Sequence, residues 1–138
     1  MAHWEHFEHQ ADIGLRGFGA TLADAFGQIA LALTAVLTDP EGVRPVRSVD
    51  IRRSAPDVES LLVDWLNALI YEMATRRMLF SRFDVRLENG DLQAVAWGEI
   101  IQPERHRPAV EVKAATYHEL AVERHPDGGW MVQCVVDV

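Results

Sequence analysis

Cysteine is almost absent from this 138-residue sequence; Cys134 stands alone. One cysteine excludes an internal disulfide framework and any CxxC-type zinc site. Long apolar runs are missing too. Stretches such as Ile29–Val36 and Leu66–Tyr71 fall far short of the ~20 residues that span a bilayer, so no membrane partner is expected. The opening Met-Ala-His-Trp-Glu-His has neither a basic start nor an apolar core, so no signal peptide is expected and the cytoplasm is the default location. The chain also lacks GxSxG, Walker A, HExxH and GxGxxG patterns. The glycines of Gly14-Leu-Arg-Gly-Phe-Gly19 lead into no lysine of a phosphate loop.

Positive charge is scarce. Thirteen basic residues face 21 acidic ones, for a net charge of −8. A domain that grips nucleic acid by itself usually carries a basic face, because counterion release drives that binding. This balance suits a metal cation or a basic protein better than RNA. Local basic patches stay open at Arg44, Arg47, Arg52 and Arg53, and at Arg76, Arg77 and Arg82. Lysine is as rare as cysteine, with Lys113 the only one. Either codon bias left one survivor, or Lys113 holds a place that a planar guanidinium cannot take.

What is present reads as an α+β fold in one domain, 1–138. Apolar residues make up 49% of the chain and charged residues 25%, which is ordinary for a globular protein. Trp4–His9 suggests a first strand and Ala11–Gly19 a loop or irregular strand. Thr21-Leu-Ala-Asp24 opens a helix from about Leu22 to Leu37, stopped at Asp39-Pro40-Glu41-Gly42. Val43–Arg53 suggests a strand with a break. Ser54-Ala-Pro-Asp57 opens a second, buried helix, with Pro56 in its first turn, ending near Arg76-Arg77. Leu79–Leu87 and Leu92–Ile100 make a hairpin around Asn89-Gly90. After the polar loop Gln102–Pro108 come strands Val110–Ala115, Tyr117–Arg124 and Trp130–Val138, with a turn at His125-Pro-Asp-Gly-Gly129. The sum is two helices packed on a mainly antiparallel sheet of six or seven strands.

Histidine and aspartate carry the candidate chemistry. His3 and His6 read as surface residues, and His106 and His125 as solvated loop residues. His9-Gln-Ala-Asp12 opens a loop at a strand end, where polar side chains reach a ligand. His118, beside Tyr117, has no clear assignment. Cys134 lies among valines and reads as a small core residue. Asp137 is flanked by Val135, Val136 and Val138. A carboxylate in an apolar strand end is costly to bury unless paired or metal-bound. With the carboxylate of Val138 it offers hard oxygen ligands for Ca²⁺, Mg²⁺ or Mn²⁺, and Asp12 joins them if the first and last strands are neighbours. The bland reading, a solvated aspartate at a frayed end, stays open.

Several segments together resemble the archease family. They are His9-Gln-Ala-Asp12-Ile-Gly, Thr21-Leu-Ala-Asp-Ala-Phe26, Ala30-Leu-Ala-Leu33, Leu61-Leu-Val-Asp-Trp-Leu-Asn-Ala-Leu-Ile70, Leu79-Phe-Ser-Arg-Phe83, Gly98-Glu99, Glu104-Arg-His106, Val112-Lys-Ala-Ala-Thr-Tyr-His118 and Val136-Asp-Val138. The resemblance runs along the whole chain and departs at Gln10, where the family usually has threonine. It implies an archease-like sandwich. It implies an accessory protein, not an enzyme, that promotes guanylylation and multiple turnover of the GTP-dependent RNA ligase of tRNA splicing and RNA repair. RNA is then met only through the ligase. The resemblance also implies a divalent metal site, usually calcium, at Asp12, Asp137 and Val138. Lys113 and His9 are expected to face the partner, with His118, Glu99 and Asp64 as weaker candidates and Asp64 alternatively paired with an arginine. Two rival readings are a small metal-dependent phosphoester hydrolase and a general chaperone, for which the sequence shows no groove.

Overall fold

The computed structural model describes residues 2–138. Helix α1 (Leu22–Leu37) starts where Thr21 accepts a hydrogen bond from the Asp24 amide at 3.0 Å. Ala25, Phe26, Ile29, Ala30, Ala32, Leu33 and Val36 are all buried, a span wider than one helix face. A helix that is apolar on more than one side needs cover on more than one side. It packs on strands β1 (His3–His9), β2 (Asp12–Gly19) and β8 (Trp130–Asp137), and also on β4 (Met78–Glu88). A Cβ on Gly17 would lie 2.4 Å from the Ala25 carbonyl oxygen, so glycine here lets the helix backbone rest on the sheet.

Helix α2 (Val58–Arg76) is capped by Asp57, which accepts from the Ser60 amide at 2.7 Å, and ends at Arg77 with φ +56°. Because Asp57 is the cap, Pro56 precedes the helix instead of sitting in its first turn. The Trp65 indole, fully buried, donates to the Phe26 carbonyl at 3.0 Å and ties α2 to α1.

The strands form two antiparallel sheets, not one. The first runs β1-β2-β8, and both β6 (Ala114–Ala115) and β7 (Ala121–Arg124) pair with the remaining edge of β8. The second is β3 (Arg47–Ser54), β5 (Asp91–Ile100) and β4, with β5 in the middle. Both helices touch both sheets. The α+β class is as expected from sequence; the division into five and three strands follows from helices with apolar residues to cover on two sides. The β4–β5 hairpin turns at Asn89-Gly90, with φ +51° and +81°, the pattern of a type I′ turn.

Other departures from the sequence reading have local causes. Asp12–Gly19 is a regular strand, because Gln10 adopts φ +53° and closes a two-residue turn onto it. The strand expected from Val43 begins only at Arg47, after a 3-10 turn at Pro40–Gly42. Pro103–His106 forms a one-turn helix, α3. Of Val110–Ala115 only the last two residues join a ladder. Five residues, Thr116–Leu120, stand opposite two, Cys134 and Val135, so the strand expected from Tyr117 starts at Ala121. Asn67 on α2 holds β6 in place: its Oδ1 accepts from the Ala115 amide at 2.8 Å.

Two glycine substitutions should move stability in opposite directions. Gly17→Val drives a side chain into α1 and should lower stability by about 3 kcal/mol. Gly27→Ala, on α1 with nothing within 4 Å of the new Cβ, should raise it by about 0.5–1 kcal/mol. Urea unfolding of both variants checks this.

Candidate functional site

The turn at Gln10-Ala11 sets His9 opposite Asp12 across β1 and β2. β2 pairs with β8 so that Ile13 faces Val136, and the same register carried one residue further sets Asp12 beside Asp137. Asp137 is opposite Ala114 of β6. Residues directly across an antiparallel pair share a face. His9, Asp12 and Asp137 therefore form a row across three strands. Their neighbours Ile13 and Val136, like Leu15 and Cys134, point to the other face, into the core. The row does not need the first and last strands to be adjacent. β2 lies between them and itself carries Asp12.

His9, Asp12, Asp137 and Val138 are each half-buried. Among the described residues neither aspartate makes a side-chain ion pair. The Nδ1 atom of His9 is buried and has no hydrogen-bond partner. The His118 ring lies 5.9 Å from that of His9, tilted by 31°, brought there by the extra residues between β6 and β7. Lys113 donates its amide to the Asp137 carbonyl at 2.9 Å, while its side chain is exposed and, among the described residues, unpaired by any carboxylate. An unpartnered imidazole nitrogen can take a hydrogen-bond partner or a metal. Carboxylate and imidazole are donor types that divalent cations take. Among the described residues no group of three or more His, Cys, Asp or Glu side chains is arranged so that it could hold a metal ion.

Glu99 lies in a different cluster. It is buried and accepts from the Arg44 amide at 2.7 Å, from Arg105, and from His106 Nε2 at 3.0 Å. His106 is not solvated, as its loop position suggested, but 5% exposed. Its Nδ1 is 2.8 Å from the Gln102 amide. An amide can only donate, so Nδ1 is the acceptor, Nε2 carries the proton, and the ring is neutral. The Arg105 guanidinium, helped by the Arg44 amide and His106, holds the Glu99 carboxyl down at about 2 against the opposing effect of burial. This cluster pins the α3 segment to the end of β5. It contains none of the residues of the row.

Asp64 is half-buried on α2 and makes no ion pair among the described residues, so the arginine partner considered for it is not there. His6 reaches the Ala32 carbonyl at 2.8 Å, which ties β1 to α1. His125 is half-buried, with Nδ1 2.9 Å from Asp127. Cys134 is fully buried, and burial pushes its thiol up to about 11, so it stays an inert core group. Asn67 went unnoticed in the sequence, although a polar residue inside the apolar stripe of a helix is itself a signal of a buried hydrogen bond.

The family model described as Archease protein family (MTH1598/TM1083) matches residues 4–138. The chain is 44% identical to protein archease of Pyrococcus furiosus and 41% identical to that of Thermococcus kodakarensis, covering all of each chain. It superposes on the solution structure of Methanobacterium thermoautotrophicum protein 1598 with a TM-score of 0.86, at 32% identity over the whole of both chains. It also shares its fold with the crystal structure of an archease from Thermotoga maritima, described as a possible chaperone. That match has TM-score 0.58 and 21% identity over 97% of this chain and 96% of that one.

The Glu99 cluster gives a pH test. A carboxyl held down in the folded state adds stability that is complete above its ordinary value of 4.5 and lost as pH falls toward about 2. The wild type should therefore lose stability across that window, and Glu99→Gln should lose less there. At neutral pH Glu99→Gln should be the weaker by about 1.5–3 kcal/mol. Denaturant titrations from pH 7 to 2.5 compare the two.

Proposed function

This chain belongs to the archease family, and from that premise we propose that it activates a GTP-dependent RNA ligase of tRNA splicing or RNA repair. In this reading it promotes guanylylation of the ligase and hence its turnover, and carries out no ligation itself. The observation that carries the reading is the pair of unneutralised aspartates, Asp12 and Asp137, set side by side at the end of the first sheet with the vacant nitrogen of His9 next to them.

Asp12, Asp137 and an oxygen of Val138 would hold a divalent cation, with calcium the first choice and magnesium or manganese the others that hard oxygen donors allow. Such an ion supplies positive charge that can orient phosphate or carboxylate oxygens. The chain's own residues do the rest. Lys113, anchored to β8 through its amide, presents a compact ammonium as a point charge to a phosphate or carboxylate of the ligase's nucleotide site. His118, packed on His9, covers one side of the row. The net charge of −8 favours docking to a basic, RNA-binding protein, so RNA is reached through the ligase and not by this chain.

The test is multiple-turnover ligation by the ligase of the same genome, with GTP and divalent metal. The wild-type chain should accelerate turnover and show no phosphoesterase activity alone. Asp12→Asn, Asp137→Asn and Lys113→Ala should each lose most of the stimulation, by about tenfold or more, as expected when a group acting on developing charge is removed. Phosphoester hydrolysis by the chain alone would favour the hydrolase reading instead. No effect on ligation would overturn the activator reading.

A further inference from the structure

Between α3 and β6 the chain runs extended without joining a sheet. Ala109 donates to the Leu37 carbonyl at 2.9 Å, and Lys113 is the next residue to pair. Among the described residues, the amides and carbonyls of Val110, Glu111 and Val112 make no hydrogen bond, and the Val112 side chain packs into the core. Val110 is 41% exposed and Glu111 is exposed, so this unpaired stretch is open to a partner. β8 cannot supply one, because its last paired residue, Asp137, stands opposite Ala114. Beside this segment lies an apolar cleft of about 380 Å³, walled by Leu37, Ile70, Met73, Ala74 and Ile101. The sequence showed no such groove. Arg77 and Glu111 stand at its lining with opposite charges, and neither is ion-paired among the described residues.

We propose that this cleft and the Val110–Val112 backbone together dock an extended segment of the ligase. One apolar side chain of that segment fills the cleft, and its backbone pairs in β fashion with Val110–Val112. Free amides and carbonyls along an extended run are a template for strand addition, with an adjacent pocket for a side chain. The occupant is a polypeptide because it alone satisfies all three features. A lipid chain would leave the backbone unpaired. A nucleic acid would bring phosphates against Glu111 and leave the apolar walls without a match. The ligase is the partner because Val112 leads directly into Lys113, whose amide holds Asp137, so the docking surface is continuous with the aspartate row. To that extent the inference rests on the proposed function.

Amide hydrogen exchange on the full chain, alone and mixed with the ligase, tests it. In the complex the Val110, Glu111 and Val112 amides should exchange at least about tenfold more slowly. Ala74→Arg, at an exposed position of α2 that lines the cleft, should weaken ligase binding about tenfold at unchanged melting temperature. Val110→Asp is the second variant, with the same expectation. Asp12→Asn should leave the protection of these amides intact wherever a complex forms. Unslowed amides in a formed complex, or wild-type affinity for both cleft variants, would overturn the docking site and leave the activator reading standing. Protection that appears in the chain alone and rises with its concentration would assign the cleft to a second copy and overturn it. No complex at all would overturn both.

Discussion

The structure turns on β8. This strand pairs with β2 along one edge and with β6 and β7 along the other, and its core-facing residues, Val132, Cys134 and Val136, are fully buried. Strand register has a period of two, so a slip of one residue would expel those three from the core and turn Gln133 and Asp137 toward it. The buried face of β8 therefore fixes where its other face lies. That other face carries Asp137 beside Asp12, and the tight turn at Gln10-Ala11 adds His9 to the row. The site is a by-product of core packing: hydrophobic burial on one side of a strand sets the spacing of carboxylates on the other.

The two polar clusters show how similar residues acquire different work. Glu99 has its charge answered by Arg105, an amide and a neutral histidine, and its carboxyl is held at about 2. A carboxylate so fully satisfied stabilises a loop and has little left to offer a ligand. Asp12 and Asp137 are half-buried and unanswered. Carboxylates that no side chain answers keep their charge available to solvent or to a partner.

Much of this was legible from the sequence. The helix limits at Leu22, Leu37 and Arg76 follow from caps and apolar spacing, and Asn89-Gly90 fixed one hairpin. Asp137 was readable as a candidate because it interrupts an apolar strand end, and Asp12 because it lies in a polar loop at a strand end. What the sequence hid was non-local. His106 looks solvated until Glu99 and Gln102 close around it. Val110–Lys113 has strand composition but no strand beside it, because pairing depends on where β8 ends. The same holds for Thr116–Leu120, whose extra residues bring His118 to His9 only because β7 re-enters the sheet. The split into two sheets depends on how the helices bury their faces, which periodicity alone does not count.

The central claim is that the unneutralised row is where a divalent cation binds. The most direct measurement is paramagnetic broadening of backbone and histidine resonances by Mn²⁺ added to the metal-free chain, followed by competition with Ca²⁺. The account expects broadening centred on His9, Asp12, Lys113, His118 and Asp137, reversed by calcium and lost in Asp12→Asn. Broadening centred on another part of the surface, or none at millimolar Mn²⁺, would contradict it.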